Sequence, residues 1–183
     1  MAQPTNLAGK RDEPAKPHTA VRTETEIDGV FVLSYPQVSY DNGSLTEVLH
    51  PEWQELFGES IEHCYFITNK TKTRQEWYYH EHTKDRYTLI TGSMKVVLFD
   101  PRDESPSNGK LITLNMVGLG LGASGVHGIQ IAPGIWHSFK NSENCTLMNF
   151  KTPPFNRDSP DKFRISMPNV LCNFSWLEED LIS

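Results

Sequence analysis

What most restricts the fold of this chain is a succession of short β-branched and aromatic runs, each cut off by Gly, Pro or Asn. They fall at 61–67, 76–82, 87–90, 94–99, 111–116, 127–131, 135–141 and 145–151. Asn69-Lys70, Gly92-Ser93, the 101–109 stretch and a Gly-rich 118–125 loop separate them. Upstream, 29–35 is also β-rich and closes at Pro36, and Asp41-Asn42-Gly43-Ser44 is a turn signal leading into 45–48. Short strands at regular spacing, with almost no 3.6-residue apolar period, predict an all-β sandwich or barrel. Two short peripheral helices are expected. One is at 51–57, where Pro51 takes a first helical position and Gly58 follows the last. The other is at 175–182, where Ser175 and Glu178 have capping-box spacing.

Within this frame His80-Glu81-His82-Thr83-Lys84-Asp85 carries the densest chemistry. If the strand runs through His82, side chains alternate, and Tyr78, His80 and His82 share one face. A Pro133-Gly134 turn then precedes a strand that can return His137 to the same interior, with Asp85 the nearest carboxylate. Imidazole serves both as acid–base group and as metal ligand, so both chemistries stay open. The plain alternative is a pair of hydrogen-bonded histidines on a solvated face. His127, of the same parity as Ile129 and Ile131, reads as a core or satisfied histidine.

The whole chain narrows the classes of partner. Its 183 residues carry a formal net charge of -6, and its Lys and Arg are scattered, so there is no basic footprint for nucleic acid. A small phosphorylated ligand needs only a few local cations and is still allowed. Cys64, Cys145 and Cys172 are far apart and odd in number, and they read as buried thiols of a reducing compartment. No apolar run approaches the roughly 20 residues of a membrane span, so a cytoplasmic protein with no membrane partner is expected. Residues 1–25 are polar and Pro-bearing and read as a loosely held arm; 26–183 reads as one domain.

The histidine segments resemble the two motifs of the cupin superfamily: His-x-His followed by an acid and a later Gly, then Pro-Gly-x-x-His-x-x-x-Asn. Three further stretches resemble the dTDP-4-dehydrorhamnose 3,5-epimerases. Asp41-Asn42-Gly43-Ser44-Leu45-Thr46-Glu47 is similar to their Asp-x-Arg-Gly-x-Phe-x-Glu. Gly92 through Asp100-Pro101-Arg102-Asp103-Glu104-Ser105-Pro106-Ser107 is similar to their segment ending Leu-Arg-x-x-Ser-Pro-Thr. Residues 131–139 are similar to Ile-Pro-x-Gly-Phe-x-His-Gly-Phe.

The resemblance implies a cupin jelly-roll β-barrel with short peripheral helices, usually a homodimer. It implies a nucleotide-sugar isomerase of the dTDP-4-keto-6-deoxyhexose type, which removes a proton next to the 4-keto group and needs no cofactor. His80 then matches the catalytic base and Asp161 the acid that orients it, with Asp158 the runner-up. Glu47, Tyr78, His82, Arg86, Trp136, His137 and Phe155 are the candidate substrate-binding residues, and Arg164 is a further diphosphate candidate. Every tyrosine lies at or before Tyr87, and Phe155 stands where the family carries its opposite-face tyrosine acid, which leaves epimerisation at a single carbon open. Two other readings stand beside this one. A metal-dependent cupin dioxygenase or isomerase would hold Zn, Fe, Mn or Ni with His80, His82, Asp85 and His137. A non-catalytic sugar-binding cupin would use the aromatics Trp136, Tyr78 and Phe155 as pocket walls.

Overall fold

The computed structural model describes residues 19–61, 63–71, 75–121, 125–141 and 143–177. In chain order the strands are β1 (Val21–Glu24), β2 (Val30–Ser34), β3 (Gln37–Tyr40), β4 (Gly43–Thr46), β5 (Cys64–Asn69), β6 (Glu76–Tyr79), β7 (Asp85–Thr91), β8 (Ser93–Phe99), β9 (Leu111–Val117), β10 (Gly128–Ile131), β11 (Trp136–Asn141), β12 (Cys145–Phe150) and β13 (Phe163–Ser166). One sheet has the order β1-β2-β10-β7-β12-β5, the facing sheet has the order β13-β6-β11-β8-β9, and β3-β4 is a separate hairpin. The pairings are antiparallel, and successive strands cross between the two sheets, as in a jelly roll. The all-β jelly-roll expectation holds.

Strand alternation explains the layering. Tyr87 and Leu89 of β7, Ile129 and Ile131 of β10 and Leu147 of β12 point between the sheets. There they meet Met94, Val96 and Leu98 of β8 and Met116 of β9 in the central core. The opposite face of the second sheet buries Trp77, Val97, Phe99 and Trp136 under the C-terminal segment, through Met167, Cys172 and Trp176. The outer face of the first sheet packs Leu33 against Trp53 and Phe57, which come from a short 3-10 turn, Pro51–Trp53, and the helical turn α1, Gln54–Phe57. The expected helix at 51–57 is therefore present, and it covers one sheet.

Gly92 makes the crossing from β7 to β8. Its φ is +84°, and a Cβ there would lie 2.8 Å from the Cys145 Cβ and 2.9 Å from the Asn144 carbonyl, so only glycine fits this corner.

Four expectations need correction. The arm assigned to 1–25 ends too late, because Val21–Glu24 pairs with β2 along its whole length. All four of its side chains are exposed, so backbone hydrogen bonding, invisible to an apolar pattern, makes this strand. The strand expected over 76–82 stops at Tyr79. Residues 175–177 are not helical, and the rest of the 175–182 helix lies outside the described residues. Cys64 is exposed rather than buried, because it sits at the outward parity of edge strand β5, whereas Cys145 and Cys172 are buried; all three thiols are free.

Candidate active site

Side chains of β5, β6, β7, β11 and β12, with His80 and Lys162 from the segments beside them, build a cavity of about 400 Å³. From β11, His137, Phe139 and Asn141 face it, while Trp136, Ser138 and Lys140 face the opposite layer. Tyr87 enters from β7, Leu147 from β12, Ile67 and Asn69 from β5, Tyr78 from β6 and Lys162 from the approach to β13. His80 lines it just beyond the end of β6.

His80 is placed by hydrogen bonds that end its strand. The Asp161 carboxylate accepts the backbone N–H groups of Glu81, His82 and Thr83 at 2.8, 3.0 and 2.8 Å, and the Thr83 hydroxyl at 2.6 Å. Donors that would have continued the ladder are spent on one side chain, so the chain turns after His80. The alternation assumed for His82 fails for this reason. His82 is exposed, and it is neither among the residues that line the cavity nor among the clustered donors His80, Asp85 and His137. Asp161 does lie against His80, but through its backbone carbonyl, which accepts from the His80 Nδ1. Its carboxyl sits at about 2: burial would raise it, but the Thr83 hydroxyl and the three N–H groups outweigh that. Asp158, the runner-up, is exposed in the same loop.

A carbonyl only accepts, so His80 carries its hydrogen on Nδ1, and the neutral ring offers a lone pair at Nε2. Around Nε2 stand Asp85 Oδ2 at 3.0 Å and Lys151 Nζ at 3.4 Å. Asp85 Oδ1 accepts from Asn149 Nδ2 at 2.8 Å and lies 3.6 Å from Lys151 Nζ. Asp85 Oδ2 is buried and faces His80 Nε2. The Asp85 carboxyl is held well below the usual range. Burial opposes this, but His80, His137 and Lys151 outweigh it.

His137 completes the group. Its Nδ1 lies 3.3 Å from the Ile135 carbonyl and its Nε2 4.0 Å from Asp85 Oδ2, and its ring centre is 5.8 Å from that of His80. Burial pushes its pKa down to about 4, and the neighbouring Asp85 only partly offsets this. At neutral pH it is an uncharged imidazole in the cavity wall.

The remaining candidates divide. Tyr78 lines the cavity, with Lys162 Nζ 5.0 Å above its ring and the Arg164 guanidinium 5.5 Å from its centre. Arg86 does not bind at this cavity: it is fully buried on the other face of β7. There it donates to Gln130, Thr152, the Phe57 carbonyl and Glu59. Trp136 is likewise turned away, into the tryptophan layer with Trp77. Glu47 follows the β3-β4 hairpin and Phe155 is 41% exposed, and neither is among the lining residues. His127 is satisfied by the Val117 carbonyl at 2.9 Å. Sequence reading missed Lys151, Asn149 and Tyr87. The signal was available: Leu147, Asn149 and Lys151 share one parity, and polar groups at the inward parity of a buried strand need a reason.

Charge on the cavity wall is one-sided. Lys70 and Lys162 line it, and among the described lining residues there is no carboxylate, in a chain of net charge -6. The wall therefore favours an anionic ligand.

Fold and motifs together define a cupin-type jelly roll. Its architecture is that of the dTDP-4-dehydrorhamnose 3,5-epimerases, as the sequence motifs implied. The epimerase of Legionella pneumophila, solved with dTDP-4-keto-L-rhamnose, superposes with a TM-score of 0.72 at 16% identity, covering 90% of this chain and 87% of that one. In sequence, the chain is 28% identical over 147 residues to the probable low-salt glycan biosynthesis epimerase Agl13 of Haloferax volcanii, covering 78% of this chain and 90% of that protein. It is 27% identical over 157 residues to the spore coat polysaccharide biosynthesis protein SpsL of Bacillus subtilis, covering 84% and 98%. No protein-family profile matches the sequence.

Proposed function

We propose that this protein is a nucleotide-sugar epimerase that removes a proton from the carbon next to the 4-keto group of a dTDP-4-keto-6-deoxyhexose-type sugar, at a single carbon. The observation that carries the reading is His80: a cavity-lining imidazole with Nδ1–H fixed on the Asp161 carbonyl and a lone pair at Nε2. Asp85 Oδ2 waits 3.0 Å from that nitrogen. A proton next to a carbonyl is removed when a neutral base of this kind meets it and the charge formed has a partner. On taking the proton, the imidazolium bears hydrogen on both nitrogens, and each has an acceptor, the Asp161 carbonyl and Asp85. The nucleotide diphosphate suits the Lys70 and Lys162 wall. The names of the relatives, one a glycan epimerase and the other a polysaccharide biosynthesis protein, support the same class.

The single-carbon reading rests on the sequence likeness at Phe155, the position where the epimerases carry their tyrosine acid; Phe155 itself is exposed and is not among the cavity-lining residues. The same reading includes a homodimer, in which the exposed β3-β4 hairpin and edge strand β1 meet a second copy. It also includes one catalytic domain over 26–183, and a cytoplasmic setting consistent with three free thiols. Among the described residues no helix is long and apolar enough to cross a membrane.

The test is solvent deuterium exchange into dTDP-4-keto-6-deoxyglucose, followed by NMR at C3 and C5. Wild-type protein is expected to label one carbon, and His80→Asn, with an unchanged far-UV spectrum, to label neither. Wild-type protein that labels no carbon of any 4-keto nucleotide sugar overturns the reading.

A further inference from the structure

The His80, Asp85 and His137 donor atoms all lie within 4.8 Å of one another, and all three residues are buried. Two imidazoles and a carboxylate at that spacing are the usual makings of a divalent metal site, and ligand atoms on a tetrahedral zinc stand about 3.3 Å apart. A fourth buried group stands among them. Lys151 is 4% exposed, with its Nζ 3.4 Å from His80 Nε2 and 3.6 Å from Asp85 Oδ1. Its backbone is fixed as well, since its N–H donates to the His63 carbonyl at 3.2 Å and Thr152 exchanges two backbone hydrogen bonds with Lys84.

We propose that Lys151 is the resident cation of this site, supplied by the chain itself in the place where the His80, Asp85 and His137 trio would otherwise take a divalent metal. The Asp85 carboxylate and the Lys151 ammonium lie within 3.6 Å of each other and balance one another's charge inside the buried cluster. A divalent ion bound to His80 Nε2 and Asp85 would stand within a few ångströms of the ammonium, in a place with little water to screen the repulsion. The donor set therefore does not fit a metal while Lys151 is present. This goes beyond the epimerase reading, and no sugar enters its test.

Cobalt(II) is the probe, followed by its visible d–d absorption and by titration calorimetry on full-length protein. Wild-type protein is expected to take up no stoichiometric cobalt. Lys151→Met is expected to bind one equivalent at least roughly tenfold more tightly than wild type, as three N/O donors released from an ammonium should. His137→Asn in the Lys151→Met background should remove that binding. Lys151→Gln serves if the methionine variant does not fold. In wild-type protein, manganese(II) should leave the His80 and His137 imidazole resonances unbroadened, a readout that needs no variant. The proposal is overturned if wild-type protein is purified with one equivalent of zinc, iron, manganese or nickel. It is also overturned if wild type binds cobalt as tightly as the Lys151 variants, or if manganese broadens both imidazoles.

Discussion

The Gly134 N–H donates to the His80 carbonyl at 2.7 Å. This one hydrogen bond joins the turn of the second histidine motif to the residue that ends the first, across more than fifty positions of sequence. Gly134 adopts φ +81°, and a Cβ there would meet Arg102 at 3.0 Å, so the glycine both makes the turn and lets the chain approach. From that anchor β11 sets out with His137 at inward parity, which is how the two imidazoles come to share a cavity wall.

Arg86 is expected to matter for stability and not for substrate affinity. It is fully buried, and its guanidinium links Glu59, Gln130, Thr152 and the Phe57 carbonyl on the face of β7 away from the cavity. Arg86→Met leaves those acceptors without their donor and should cost about 3 kcal/mol. Urea unfolding checks this, and KM for the nucleotide sugar, measured below the unfolding range, should stay within about twofold of wild type, far from the tenfold that 1.4 kcal/mol of lost binding would give. A large KM change with unaltered stability would return Arg86 to the substrate.

Asp161 should behave as a positioning residue. Asp161→Ala removes an acceptor shared by three backbone N–H groups and the Thr83 hydroxyl but leaves the backbone carbonyl that meets His80. Loosening of the 81–83 turn should cost about 2 kcal/mol and lower kcat more than it raises KM. Asp161→Asn keeps one acceptor oxygen and should recover part of kcat. Equal kcat values for the two variants would argue against positioning.

His137 makes acid sensitivity predictable. Its pKa is near 4 in the folded chain, because burial outweighs the pull of Asp85, against an ordinary 6.5. Between these values the unfolded chain binds more protons than the folded one, so stability rises with pH across this window and is lost as pH falls through it. The loss should reach about 3 kcal/mol by pH 4. The carboxylates of Asp85 and Asp161, both held low, titrate beneath this window. Urea midpoints of wild type from pH 7.5 to 4.5 should therefore decline with a slope that His137→Asn flattens. Parallel slopes would show that His137 does not carry it.

The strand succession, the Pro51 turn and the two histidine motifs were legible in the sequence, because each depends on local physics: side-chain alternation, turn residues and the fixed spacing of a motif on one strand. Strand β1 was not, since a fully exposed edge strand has no apolar pattern and exists only through its backbone pairing with β2. His82 and Arg86 were placed wrongly for a related reason. Parity says which side chains share a face only while the strand lasts, and a carboxylate eighty positions downstream ended it after Tyr79. For Arg86, both faces of β7 are covered, so no polar pattern distinguishes the cavity face from the face under Phe57. The sequence alone determined which residues could do acid–base chemistry. Only the tertiary structure decided that Lys151, just past the end of β12 in a segment that shows no motif, stands beside both His80 and Asp85, because that meeting depends on the pairing of β12 beside β7, a contact made across more than sixty residues.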